Sequence, residues 1–334
     1  MNPRWPLLLV LAGAAIYPAK AAEASAVETP AIPGTVRNDE RVLRAGASEL
    51  RVSVVDAPDR PIDPARAAEL QRWLAQTAES TLAAFGRFPL PQARVRIEQI
   101  DSRDRSPVPW GQTSRRDGVA VLLYVRADAG LSELREDWTA AHELAHLFHP
   151  YLGGDGRWLA EGLASYYQNV LRARVGLLEP AQAWQELDAG FARGRREASG
   201  ARLDELSRRH RGTMRVYWAG AAYWLEADLA LRREHASSLD AALSQYARCC
   251  LRGTGLVEPA AFVAQLDAIA GGEVFQRLYR RYAASREFPP LDAAYAALGL
   301  ETRDGVLKFS NRPDAVRLRR ALMGRRPALR PDAP

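Results

Sequence analysis

The sequence predicts an α+β protein in which a mixed half, with short strands around one long helix, precedes a wholly helical half. Three observations predict this. Strand-like runs at 50–55, 94–100 and 118–125 are confined to the first 130 residues. Between the first two, Asp63-Pro64 and Gly86 frame a helix by supplying an N-cap, a first-turn proline and a stop. From Ser132 onward, apolar residues recur at helical spacing. The 334 residues, 47% hydrophobic and 26% charged, suffice for a large core and exclude wholesale disorder, a fibrous repeat or a multi-span membrane protein.

At the N-terminus Arg4 precedes an apolar run, Leu7 to Tyr17, followed by Ala19-Lys20-Ala21. A basic start, a short apolar core and an A-x-A site predict a signal peptide over 1–21 and hence export, periplasmic or secreted. The run is too short to span a bilayer, which takes about 20 residues. Residues 22–38 are small, proline-bearing and read as a linker, leaving a body at 39–308 whose halves divide near 151/152. In the first half, Leu70, Trp73, Leu74, Thr77, Ala78 and Leu82 form the apolar stripe of the 63–85 helix, and 101–111 reads as a polar loop. A helix is expected over 132–149 at the end of the first half, and over 156–171, 181–193, 214–234, 238–248, 259–270 and 273–284 in the second. Residues 309–334 form an Arg-rich tail expected to be solvated and frayed.

Charge narrows the function. The formal net charge is +6, yet 309–334 alone carries +5 and 22–308 carries −1. A nucleic-acid footprint needs a basic face on a folded domain, and this body has no such excess, so no nucleic-acid partner is expected. The tail could touch an anionic membrane, but a solvated terminus is the plainer reading. The two cysteines, Cys249 and Cys250, are neighbours, which excludes a disulfide scaffold. They read as two small residues near a helix end, with a vicinal redox pair as the alternative.

The informative segment is Ala141-His142-Glu143-Leu144-Ala145-His146. Two histidines at i and i+4 share one helix face and can reach one cation, while Glu143 projects from the same turn to accept a proton from water. With 5 His in the chain, such a pattern arises by chance only about 0.005 times. A hydrolytic zinc site needs a third protein ligand and an open position for water. His149 is one candidate; a third histidine in the longer metalloprotease pattern would fall at Leu152 and is absent. The stronger candidate is Glu161. Pro150, Gly153, Gly154 and Gly156 break the first helix and let a second return against it.

Ala141 to His146 followed by Trp158-Leu159-Ala160-Glu161-Gly162 resembles the gluzincin metallopeptidases, specifically the catalytic domains of the alanyl and glycyl aminopeptidase families. The resemblance implies a thermolysin-like, two-lobed zincin with an α/β lobe, a helical lobe and the metal between them. It implies one Zn²⁺ on His142, His146 and Glu161, with Glu143 as general base. Tyr217-Trp218-Ala219-Gly220-Ala221 is similar to a further family segment whose tyrosine stabilises the tetrahedral intermediate, which makes Tyr217 the implied oxyanion donor. Weaker similarity lies at Phe85 to Pro89 and from Phe275 to Leu300.

Departures matter as well. The segment that grips the substrate α-amine in alanyl aminopeptidases is missing, and no large β domain fits before residue 50. Ser165 stands where thermolysin-type enzymes place an aspartate that orients a ligand histidine. The 118–125 strand occupies the family's substrate-pairing position, although its apolar run equally suits a buried core strand. Two functions follow: an exported zinc peptidase acting on peptide or protein, or a non-catalytic envelope module on the same fold with a structural or absent metal.

Overall fold

The computed structural model describes residues 35–36, 40–56, 61–197 and 199–326. The expected signal peptide, most of the linker and the last eight residues lie outside them. Six strands form one sheet: β1 (Thr35–Val36), β2 (Arg41–Ala45), β3 (Ser48–Asp56), β4 (Gln92–Ile100), β5 (Trp110–Ser114) and β6 (Ala120–Arg126). The order is β1-β3-β4-β6-β5, with β2 also on β3. β3, β4 and β6 run parallel, whereas β1, β2 and β5 pair antiparallel.

A parallel pair needs a crossover, and α1 (Pro64–Phe85) supplies the one between β3 and β4. Its start is as the sequence predicts: the Asp63 carboxylate accepts from the Ala65 and Arg66 amides at 2.8 and 3.3 Å. Gly86 ends it at φ 78°, a left-handed conformation that glycine adopts without a Cβ penalty. Leu70, Trp73, Leu74, Thr77, Ala78 and Leu82 are all buried, and Trp73 Nε1 donates to Leu134 O at 2.8 Å.

The expected helix over 132–149 is divided into α2 (Leu131–Glu136), α3 (Thr139–Ala145) and a 3-10 turn, His146–Phe148. Asp137 explains the break. Its backbone is extended, and its carboxylate accepts from the Thr139 amide at 2.7 Å, starting a new helix.

The helical part comprises α4 (Arg157–Val175), α5 (Pro180–Arg196), α6 (Leu203–Arg208), α7 (Thr213–Glu234), α8 (Leu239–Cys249), α9 (Pro259–Ala270), α10 (Val274–Ala283) and α11 (Asp292–Leu298). A hairpin of β7 (Leu300–Arg303) and β8 (Val306–Phe309) leads to α12 (Pro313–Met323). Cys249 and Cys250 are joined by a disulfide where α8 ends. Among the described residues, no helix is long and apolar enough to cross a membrane.

One expectation is corrected and one open reading is decided. Residues 313–326 are not a solvated tail. α12 buries Ala315, Leu322 and Met323, and Arg326 donates to Ala83 O at 2.7 Å and to Asp240 Oδ2 at 3.0 Å. An apolar helix face outweighs the arginines, of which Arg312, Arg319, Arg325 and Arg326 also donate to carbonyl or carboxylate oxygens. Of the two readings of the 118–125 strand, the buried core strand is the one observed: as β6 it is an interior strand between β4 and β5 and offers no free edge. Beside it β5 is one edge of the sheet, and its residues overlap the stretch expected as a polar loop.

Candidate metal centre

Every residue of α3 is buried, and so is the turn that follows, so His142 on the helix and His146 on the turn are held by backbone packed on all sides. Pro150 and the following turn reverse the chain, and α4 brings Glu161 back to them. Donor atoms of His142, His146 and Glu161 lie within 4.8 Å of one another. Glu161 Oε2 is 3.3 Å from His142 Nε2 and 3.6 Å from His146 Nε2.

Second partners set the ring orientations. His142 Nδ1 lies 2.8 Å from Gln168 Oε1, an acceptor, so Nδ1 carries the proton and Nε2 faces Glu161. Gln168, two turns beyond Glu161 on α4, takes the part that the sequence left open. Ser165 does not: it is buried, and its carbonyl accepts from Asn169 Nδ2 at 3.0 Å. His146 Nδ1 lies 2.9 Å from Nε2 of His149, a buried ring that is not among the converging donors.

Glu143, beside this cluster, meets β5. Thr113 Oγ1 donates to its carboxylate and its backbone carbonyl, both at 3.0 Å. β5 approaches so closely at Gly111 that a Cβ there would fall 2.6 Å from Glu143 Cγ. Neither Gly111 nor Thr113 was singled out from the sequence, because an edge-strand glycine carries no motif. Trp110 and Trp138, which flank this region in sequence, are among the few exposed large apolar side chains.

Tyr217 arrives from α7, its ring parallel to that of His142 at a centroid distance of 5.9 Å. Its position follows from a close helix crossing. A Cβ on Gly220 would fall 2.0 Å from Trp158 O, and one on Gly162 would fall 2.3 Å from the Gly220 carbonyl carbon. Glu161 and Tyr217 lie beside these two glycines, so the contact of α4 with α7 sets their separation. The Arg157 guanidinium lies 5.5 Å from the Tyr217 ring centroid.

Electrostatics separates the two glutamates. Burial pushes Glu143 up, and the attraction of His146 and His142 does not fully offset it, so its carboxyl sits above the ordinary range. Burial also acts on Glu161, but His146 and the His142 hydrogen bond outweigh it and hold it well below that range. One carboxylate is thus fixed as an anion and the other is poised to take a proton. Burial lowers His142, but the Glu161 hydrogen bond and charge more than reverse this: the pocket draws positive charge inward. Burial, then the Glu161 charge, keeps the Tyr217 hydroxyl protonated well above its ordinary value. Two imidazoles and a carboxylate, each neutral histidine offering Nε2, form a donor set that suits Zn²⁺.

Residues 151–251 match the family model described as M61 glycyl aminopeptidase. The matched stretch contains Glu161 and Tyr217 and begins after His146. No curated protein matches. Among solved structures, an aminopeptidase N family protein from Idiomarina loihiensis aligns with a TM-score of 0.57 at 14% identity, covering 84% of this chain and 53% of that one. It establishes likeness of fold. An M1 zinc metallopeptidase from Deinococcus radiodurans aligns at TM-score 0.48 and 19% identity, covering 77% and 52%. Leukotriene A4 hydrolase from Saccharomyces cerevisiae aligns at 0.49 and 12%, covering 78% and 42%. The chain spans about half the length of the structures it matches. In fold and in the 151–251 segment it resembles gluzincins of the aminopeptidase type.

Proposed function

We propose that this chain is an exported zinc-dependent metallopeptidase that hydrolyses peptide bonds in the periplasm or outside the cell. In this reading the sheet-bearing and helical parts form two lobes with one Zn²⁺ between them, bound by His142, His146 and Glu161. The observation that carries it is the convergence of those three side chains within 4.8 Å, with Tyr217 stacked on His142 and Glu143 coupled electrostatically to both histidines. A purely structural metal has no need of the last two. Export is supported by the Arg4 and Leu7–Tyr17 pattern alone.

Bound Zn²⁺ would polarise the scissile carbonyl and acidify a water molecule in its open position. The rest is done by the chain. Glu143, raised by burial and oriented by Thr113, accepts the water proton and passes it to the leaving amine. Tyr217, protonated and stacked on His142, donates to the oxyanion of the tetrahedral intermediate. Gln168 keeps the His142 proton on Nδ1.

The purified chain, incubated with a peptide library, is expected to cleave, and to lose cleavage on chelation and in Glu143→Gln. Cleavage that survives both treatments overturns the reading. Tight zinc binding with no cleavage of any peptide would instead favour a non-catalytic envelope module.

A further inference from the structure

We propose that His149 is a positioning residue that selects the tautomer in which His146 can bind metal. The inference rests on reading the cluster as a zinc centre.

His149 Nδ1 lies 2.6 Å from Pro150 O. A carbonyl oxygen only accepts, so Nδ1 carries the proton. The ring is fully enclosed, and the Arg115 guanidinium donates to His149 O at 2.6 Å and to His146 O at 2.7 Å. In the neutral ring, Nε2 is then a bare acceptor. It lies 2.9 Å from His146 Nδ1, which must therefore donate. With its proton on Nδ1, neutral His146 has a lone pair on Nε2, the atom 3.6 Å from Glu161 Oε2. Pro150 O, His149 and His146 thus form a directed chain that starts at a backbone carbonyl and ends at a ligand atom. Gln168 performs the equivalent task for His142 with a single bond, so each ligand histidine has its own orienting partner.

The two bonds of His149 can be cut separately. In glutamine the side-chain Oε1 reaches roughly the place of the imidazole Nε2; in asparagine the Nδ2 amide reaches roughly the place of Nδ1. His149→Gln therefore keeps the acceptor for His146 and gives up the Pro150 bond, and His149→Asn does the reverse. The zinc dissociation constant of the full chain is measured by competition with a chromophoric chelator, and the melting temperature of each metal-free variant gives its folding.

If His149 sets the tautomer, His149→Asn weakens zinc about 10- to 100-fold, as loss of such orienting partners typically does. His149→Gln should stay close to the unaltered chain, whatever either variant does to the melting temperature. Equal losses in both, losses only in Gln, or no loss in either overturn the proposal, since a merely space-filling ring predicts affinities that follow stability. If the unaltered chain takes up no zinc, the metal-site reading itself fails and this inference fails with it.

Discussion

Glu143 and Tyr217 differ in what their removal should cost. Glu143→Gln leaves the shape of the site intact, since Thr113 Oγ1 can still bond the amide, but it removes the proton acceptor. It should lower kcat by about 10²–10⁴-fold with zinc content unchanged by elemental analysis. Tyr217→Phe keeps the ring stacked on His142 and deletes one donor. A loss of about 10²–10³-fold in kcat is expected, with KM nearly unmoved in steady-state kinetics on the same peptide. A KM rise at constant kcat would instead make Tyr217 a ground-state contact. The grouping of these residues was legible because HExxH, W-x-x-E-G and Y-x-x-G-A couple residue type to spacing. Gln168, His149 and Thr113 were not legible as partners, because what they do depends on which acceptor faces which nitrogen across elements, and spacing carries no such information.

At the scale of elements, local signals were read most directly where the chain supplies its own terminators. Asp63-Pro64 and Gly86 bound α1 as expected. Asp63→Ala should lower stability by about 1 kcal/mol through the lost cap, measured as a shift in denaturant midpoint at unchanged slope. β5 was missed because its Trp110–Ser114 stretch has only Trp110 as a large apolar residue and is defined by pairing with β6 rather than by pattern. The α4–α7 crossing likewise depends on Gly162 and Gly220 meeting, a tertiary fact that gives the Gly of both motifs a physical reason. Gly220→Ala drives a methyl into Trp158 O. The helices must separate, at about 1–3 kcal/mol, and Tyr217 and Glu161 move apart with them. A fall in melting temperature and in kcat together is the expected result; lost stability with full kcat would disconnect the crossing from the site.

Across the whole molecule, α12 joins what the sequence treated as a tail to the structure behind the site. Asp240 on α8 accepts from Arg174 of α4 at 3.0 Å, from Tyr167 of α4 at 2.9 Å and from Arg326 beyond α12 at 3.0 Å. Burial raises the Asp240 carboxyl, but the charges of Arg174, then Arg326, and the Arg174 and Tyr167 hydrogen bonds outweigh it and hold the group below its ordinary 3.8. A carboxylate lowered on folding adds stability above its unfolded pKa, and that stability is lost as pH falls through the folded one. Asp137 and Glu143 are raised by burial and have the opposite sign, so they do not drive acid unfolding. Asp240→Asn strands the Arg174 cation, whose side chain is fully enclosed, and should cost about 3–5 kcal/mol at pH 7. The stability difference between Asp240→Asn and the unaltered chain should then narrow as pH falls below 4. Arg326 is one-third exposed, so Arg326→Met should cost less than Asp240→Asn at pH 7 and leave the Arg174 bond in place. Denaturant titrations at pH 7, 5, 4 and 3 measure this. A difference that stays constant across that range would mean that Asp240 contributes shape and hydrogen bonds but no charge to the anchoring of α12.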